Sequence, residues 1–275
     1  MRRFLPGRLR TLLSGESAEP QKAVAKFELR PPAPQNAVDI FAGKWASDLT
    51  PVCDVTGTGS AALFRDVRPG QAADSLGHDG RLDGFRLLEL GPLEAAHSYQ
   101  LEQLGASEII AVEANTEAFL KCLVVKEILG LKNVRFLCGD IVAYLKSCTR
   151  RFDMIFCSGV LYHMSDPLEL IRLMSLHTDK CFVWTHYFSN EASNDKMERT
   201  ARTVSRFGFS ATYHELEYPD PGFDRFWGGN RPVQAWMEKN EIFAAFAHFG
   251  FAHCKLLDED PDHPAGRCMT FAAYR

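Results

Sequence analysis

The chain has 275 residues, 46% hydrophobic and 24% charged, the proportions of an ordinary soluble globule. That length accommodates one large α/β domain, or one domain with a small appendage. A formal charge of −4 excludes a chain-wide cationic field for nucleic acid, leaving room only for a local basic groove, and no uncharged apolar run reaches the roughly 18 residues of a membrane span.

Residues 1–35 mix Arg, Pro, Ala and Gln and end on Arg30-Pro31-Pro32-Ala33-Pro34, which reads as an irregular basic segment. Its start, MRRFLPGRLRTLLS, lacks the continuous apolar core of a secretory signal and reads as a frayed tail. Residues 36–84 carry few strong periods and a loop-like DVTGTGS at 54–60, and are expected to form an extension covering the site. No internal repeat is visible.

From Arg86 the pattern becomes regular. RLLEL (86–90), EIIAVE (108–113), VRFLCGD (134–140), FDMIFCSG (152–159) and KCFVWTHYF (180–188) are brief apolar runs that predict buried parallel strands. Between them the pattern predicts helices through SYQLEQL up to Gly105, over 116–129 with Asn115 or Thr116 as cap, and around 142–147. Another is predicted over 167–177, with Asp166 as cap and Pro167 in the first turn. A long polar and aromatic insertion, 189–232, is expected to serve as a substrate lid, followed by a helix at roughly 233–248. Two strands, 252–259 and 268–275, are joined by DPDHPAG, a link short enough only for antiparallel return. The predicted fold is α/β: a doubly wound, Rossmann-like sheet of seven strands, mostly parallel with an antiparallel C-terminal pair, forming one domain over 85–275.

The eight cysteines show no CxxC or finger spacing, and Cys122, Cys138, Cys157 and Cys181 lie in apolar runs, where thiols act as small buried hydrophobes. No metal site is expected, and a reducing cytoplasmic location is.

In such sheets the ligand sits at the carboxyl ends of the strands, where strand order reverses. The first strand delivers Glu89-Leu90-Gly91-Pro92-Leu93-Glu94 to that edge, and the second delivers Glu113-Ala114, with Glu113 standing 22 residues after Gly91. A carboxylate there can accept both ribose hydroxyls. Asp140 at the third strand can accept from an adenine amino group, with Ile141 against the ring, and Ser158-Gly159 close the edge from the fourth strand. A nicotinamide dinucleotide needs bare glycine backbone for its pyrophosphate. Only Gly91 meets that need, and Glu94 would oppose the phosphates. The edge instead suits S-adenosylmethionine, a cationic nucleoside without phosphate.

ELGPLEAAHSYQLEQLGASEIIAVEANTEAFLKCLVVKEILGL, FLCGD and SGVLYHMSDPLELI together resemble a bacterial class I methyltransferase family that carries ELGPLE in place of the commoner glycine-rich loop. The phrase from Gly159 to His163, followed by Asp166-Pro167-Leu168, is similar to the tRNA wobble-uridine carboxymethyltransferases, and AVDIFAGKWAS (37–47) also looks like the ELGPLE family. The resemblance covers residues 36–275 and is strongest at 86–188. It implies cofactor contacts at Gly91, Glu113, Asp140 and Ser158. It transfers no substrate, because the basic substrate and carboxyl-cofactor residues of the wobble-uridine enzymes find no match.

Methyl transfer from a sulfonium needs a positioned acceptor, and a base only where the nucleophile must lose a proton. His163, at the mouth of the edge, and His186, at the end of the fifth strand, are the candidate bases. Tyr162, Trp184, Tyr213, Trp227 and Arg231 are the candidate acceptor contacts, while Trp45 reads as packing. The expected acceptor is a small molecule or sugar. A transfer RNA base, a non-catalytic binding module of the same fold and a dinucleotide oxidoreductase are the alternatives.

Overall fold

The computed structural model describes residues 27–191, 197–217 and 231–275. Before the sheet come α1 (Pro34–Asp39), a 3-10 turn at Leu63–Arg65 and α2 (Arg68–Leu76). The first βα units are β1 (Arg86–Leu90), α3 (Ala96–Gln103), β2 (Glu108–Glu113), α4 (Thr116–Leu129), β3 (Val134–Cys138) and α5 (Ile141–Ser147). Next come β4 (Met154–Ser158), α6 (Pro167–His177) and β5 (Lys180–His186). The remainder is β6 (Thr200–Arg206), β7 (Phe209–Glu217), β8 (Val233–Trp236), α7 (Lys239–His248), β9 (His253–Asp260) and β10 (Cys268–Tyr274).

The central sheet has the order β3-β2-β1-β4-β5-β10-β9, with the first five strands parallel and β10 antiparallel to both neighbours. Strands β1, β2, β4, β5 and β10 are largely buried because both faces of the sheet are covered there, whereas the edge strand β9 is mostly exposed. Leu88, Leu90, Ile110 and Val112 face a core shared with Ile171, Phe246 and Phe271. Leu87, Ile109, Ala111 and Phe156 face the opposite core, which holds Val38, Trp45, Phe64 and Leu101. Trp45 is therefore packing, and its indole N–H donates to the Val38 carbonyl at 2.9 Å. Two helix starts follow the expected caps, Asn115 and Asp166, which accept from the backbone of Ala118 and Glu169, and a third cap, not foreseen as one, is Asp140, which accepts from Ala143. Cys122, Cys157 and Cys181 are buried, whereas Cys138 is exposed because β3 is an edge strand. No helix among the described residues is long and apolar enough to cross a membrane.

The insertion departs from expectation. Its described part supplies β6 and β7 of a separate antiparallel sheet that β8 completes, and no described residue of 189–232 lines the cavity described below. A two-residue turn, Phe207-Gly208, joins β6 to β7 with both residues at positive φ (54° and 77°), the geometry of a twisted hairpin. The helix expected at 233–248 begins only at Lys239. Residues 233–236 pair with β7, His214 opposite Trp236 and Leu216 opposite Gln234. Tertiary pairing overrides local pattern there. Tyr213, expected at the acceptor, is buried in the core. Its hydroxyl donates to Asp166 (2.7 Å) and accepts the Leu168 N–H (3.2 Å), locking the small sheet to the start of α6.

Candidate functional site

A cavity of about 290 Å³ opens at the carboxyl edge of β1, β2 and β4, where strand order reverses. Gly91, Pro92 and Leu93 form one wall. Glu113, Ala114, Asp140 and Ile141 form a second, and Ser158, Gly159, Tyr162, His163 and Trp184 a third. The topology brings these residues together from the carboxyl ends of five strands and the loops that follow them.

The turn after β1 takes its shape from backbone in the left-handed region, with Gly91 at φ 65°, Leu93 at 57° and Ala95 at 63°. A Cβ on Gly91 would come within 2.9 Å of Val160 Cγ2, so only glycine fits beside the β4 loop. Glu113 holds the turn in place: its carboxylate accepts the N–H of Leu93 (3.0 Å) and of Asn115 (2.8 Å). Burial pushes the Glu113 carboxyl above its ordinary value, against the pull of those N–H donors. The Leu93 N–H is thereby spent on Glu113 and gives no cradle for a phosphate. Asp140 lines the cavity while one of its oxygens accepts from Ala143 at 2.7 Å as the cap of α5.

Glu89 and Glu94 lie outside the cavity lining. Glu89 is buried beneath the turn, where Ser98 Oγ donates to Oε2 and Oε1 has no hydrogen-bond partner among the described residues. Burial pushes its carboxyl up to about 8. Glu94 accepts from the backbone of Ala46 (3.1 Å) and Ser47 (2.7 Å) and from Lys121 Nζ (3.1 Å). It thus ties the N-terminal segment to α4.

The two candidate bases separate. His163 lines the cavity, its ring 4.1 Å from that of Tyr162. Burial, reinforced by neighbouring His186, pushes it down to about 3, so the ordinary value near 6.5 does not apply. His186 is outside the lining. Its Nδ1 donates to the Gly266 carbonyl at 2.8 Å, and its ring stacks on Trp236 at 5.1 Å. The turn before β10 draws it away from the edge where a base was expected. Arg231 is exposed and also outside the lining, and Trp227 lies outside the described residues.

The extension supplies contacts that the sequence reading missed. Leu63, Arg68 and, from α3, His97 line the cavity. Asp66 binds Arg68 Nε (2.7 Å) and His97 Nε2 (3.0 Å), Arg68 Nη1 donates to Ser158 Oγ (2.9 Å), and the guanidinium sits 4.6 Å from the Trp184 ring. Burial of Asp66 opposes ionisation, but His97 and Arg68 outweigh it and hold the carboxyl well below the carboxylate range. Nothing in the spacing of Asp66 and Arg68 places them against His97, 31 positions from Asp66, and Ser158, 90 positions from Arg68. Asp66 next to Arg68-Pro69 at a helix start was the one local sign.

Three comparisons bear on this edge. A family model for a methyltransferase domain matches residues 82–240, more than half of the chain. The tRNA U34 carboxymethyltransferase of Campylobacter hominis is 30% identical over 100 residues, 33% of this chain and 31% of that protein. The same enzyme of Helicobacter hepaticus is 34% identical over 62 residues, 22% of this chain and 18% of that protein. The chain thus matches no more than about a third of the length of either. Among solved structures, the N-terminal domain of EvdMO1, crystallised in the presence of SAH and D-fucose, superposes with a TM-score of 0.62 at 21% identity. That match covers 88% of this chain and 94% of that one. The fold is shared. The chain belongs to the methyltransferase-domain family, within the class I enzymes that use S-adenosylmethionine.

Proposed function

We propose that this enzyme methylates a hydroxyl or amine of a small molecule or sugar. The observation that carries the reading is the charge of the cavity wall. Its one cationic side chain among the described residues, Arg68, is held by Asp66. Among the described residues the wall offers no run of Lys and Arg to follow a phosphate backbone. Tyr162 and Trp184, with ring centroids 5.8 Å apart and nearly perpendicular, give instead apolar faces suited to a sugar ring.

The chemistry of the edge fits the cofactor. Glu113 takes the ribose hydroxyls, Asp140 and Ile141 the adenine, and Gly91, Pro92 and Leu93 the amino-acid end, with Ser158 and Gly159 between. Bound S-adenosylmethionine supplies a methyl already activated by its sulfonium. The chain's own residues then orient the acceptor and exclude water. His163, kept neutral by burial, accepts a hydrogen bond from the acceptor and fixes its direction.

The test uses cofactor with a labelled methyl, offered with a panel of hydroxylated and amino sugars and, separately, with bulk tRNA. Label in a sugar supports the reading. Label in tRNA alone overturns it and favours the reading drawn from the partial similarity to the tRNA U34 enzymes.

A further inference from the structure

Beside the cavity, and not part of its lining, stand three side chains of metal-binding type. His186, His263 and Cys268 each offer one donor atom, and these atoms all lie within 4.8 Å of one another. Sheet register produces the pair at its centre. His186 on β5 and Cys268 on β10 are direct cross-strand partners, so their side chains leave the same face. His263 comes from the turn between β9 and β10, which folds back until its ring is 5.1 Å from that of His186.

The surroundings match those of metal ligands. His186 Nδ1 lies 2.8 Å from the Gly266 carbonyl and 3.2 Å from that of Arg267. A carbonyl only accepts, so Nδ1 carries the proton and the lone pair is on Nε2. Ligating histidines are fixed by the same kind of contact. The Trp184 indole N–H meets the Cys268 sulfur. His186 and Cys268 are buried and His263 partly so.

We propose that His186, His263 and Cys268 bind a zinc ion. Imidazole and thiolate donors select a borderline-soft cation over magnesium or calcium. Bond lengths of roughly 2.0–2.3 Å require the three donors to draw together by about 1 Å. On binding, two Zn–N bonds and one Zn–S bond form, the Cys268 thiol releases its proton to solvent, water fills the fourth position, and no oxidation state changes. The ion pins the β9–β10 turn to the end of β5. It thereby fixes Trp184, which touches the Cys268 and His186 side chains on one side and the cavity on the other. No sequence motif announces the site, because its ligands are 77 and 5 residues apart and only the sheet register unites them. The proposal is independent of which acceptor is methylated.

The full chain, stripped with a chelator and desalted, is titrated with zinc against a chromophoric competitor, and separately with cobalt. One equivalent of zinc is expected, with a thiolate-to-cobalt absorption band. Affinity is expected to fall roughly 100-fold or more in His263→Ala and in Cys268→Ser. His263→Ala alters only a turn residue, so its circular dichroism should stay that of the parent. Cys138→Ser, at the far edge of the sheet, should bind as the parent does. Absence of stoichiometric zinc, parental affinity in both ligand variants, loss of binding in Cys138→Ser, or displacement of zinc by millimolar magnesium would each overturn the proposal.

Discussion

Glu113 and Glu89 are both buried carboxyls at the end of a strand, yet they do different work. Glu113 has two backbone N–H donors and faces the cavity, so its charge has partners before any ligand arrives. In Glu113→Gln, one side-chain oxygen becomes an NH2 group that must face a backbone N–H. Leaving such a donor unsatisfied costs about 1–3 kcal/mol. Urea unfolding should report that loss, together with weaker S-adenosylmethionine binding. Glu89 has one hydroxyl donor, Ser98, and its carboxyl is raised from an ordinary 4.5 to about 8. The unfolded chain therefore gives up this proton first as pH rises. Glu89 contributes its full stabilisation below 4.5 and loses it as pH passes through about 8. Glu89→Gln, a neutral isostere, removes that dependence. The stability advantage of the parent over Glu89→Gln should shrink between about pH 5 and about pH 8.5, and an unchanged difference in urea melts would refute the assignment.

At the scale of elements, the five parallel strands were legible because each is a short apolar run, and several are bounded by helix signals such as Asn115 and Gly130 around α4 or Asp166 and Pro167 at the start of α6. The matching of Arg86–Leu90 and Glu108–Glu113 to their predicted bounds follows from that redundancy. The cofactor edge was legible for the same reason, since strand order determines which loops meet. Legibility failed where partners are distant. Val233–Trp236 carries an apolar pattern compatible with helix or strand, and only pairing with β7 decides. Tyr213 and His186 look like site residues in a list of aromatics, but one is consumed by Asp166 and the other by the Gly266 carbonyl. Glu94 was likewise placed at the ligand, whereas it braces the extension. Removing it in Glu94→Ala orphans two backbone N–H groups and strips a carboxylate from Lys121, whose side chain is 8% exposed. Breaking a buried pair in this way costs about 3–5 kcal/mol. Denaturant unfolding should show that loss, and proteolysis should cut residues 36–66 sooner than in the parent.

For the whole molecule, the decisive property is where charge stands relative to the cavity. The net charge of −4 sets a weak repulsion toward polyanions, and the wall adds the carboxylates of Glu113 and Asp140. Against them stands Arg68, whose guanidinium is occupied by Asp66, Ser158 and the face of Trp184. Burial pushes His97 and His163 down, so neither adds positive charge at neutral pH. A polynucleotide acceptor held by six to ten phosphate contacts would lose roughly 10³-fold or more in affinity between about 50 and 200 mM salt, as released counterions are paid back. A neutral sugar or other small acceptor displaces no counterions and should show a change of less than about threefold over that range. Filter binding of bulk tRNA and kcat/KM for the best small acceptor, measured at both salt concentrations, separate the two cases. Weak tRNA retention with a flat kcat/KM is the expected outcome. Tight retention that collapses with salt would mean that a basic surface reaches the nucleic acid from beyond this wall, and the acceptor would then be RNA.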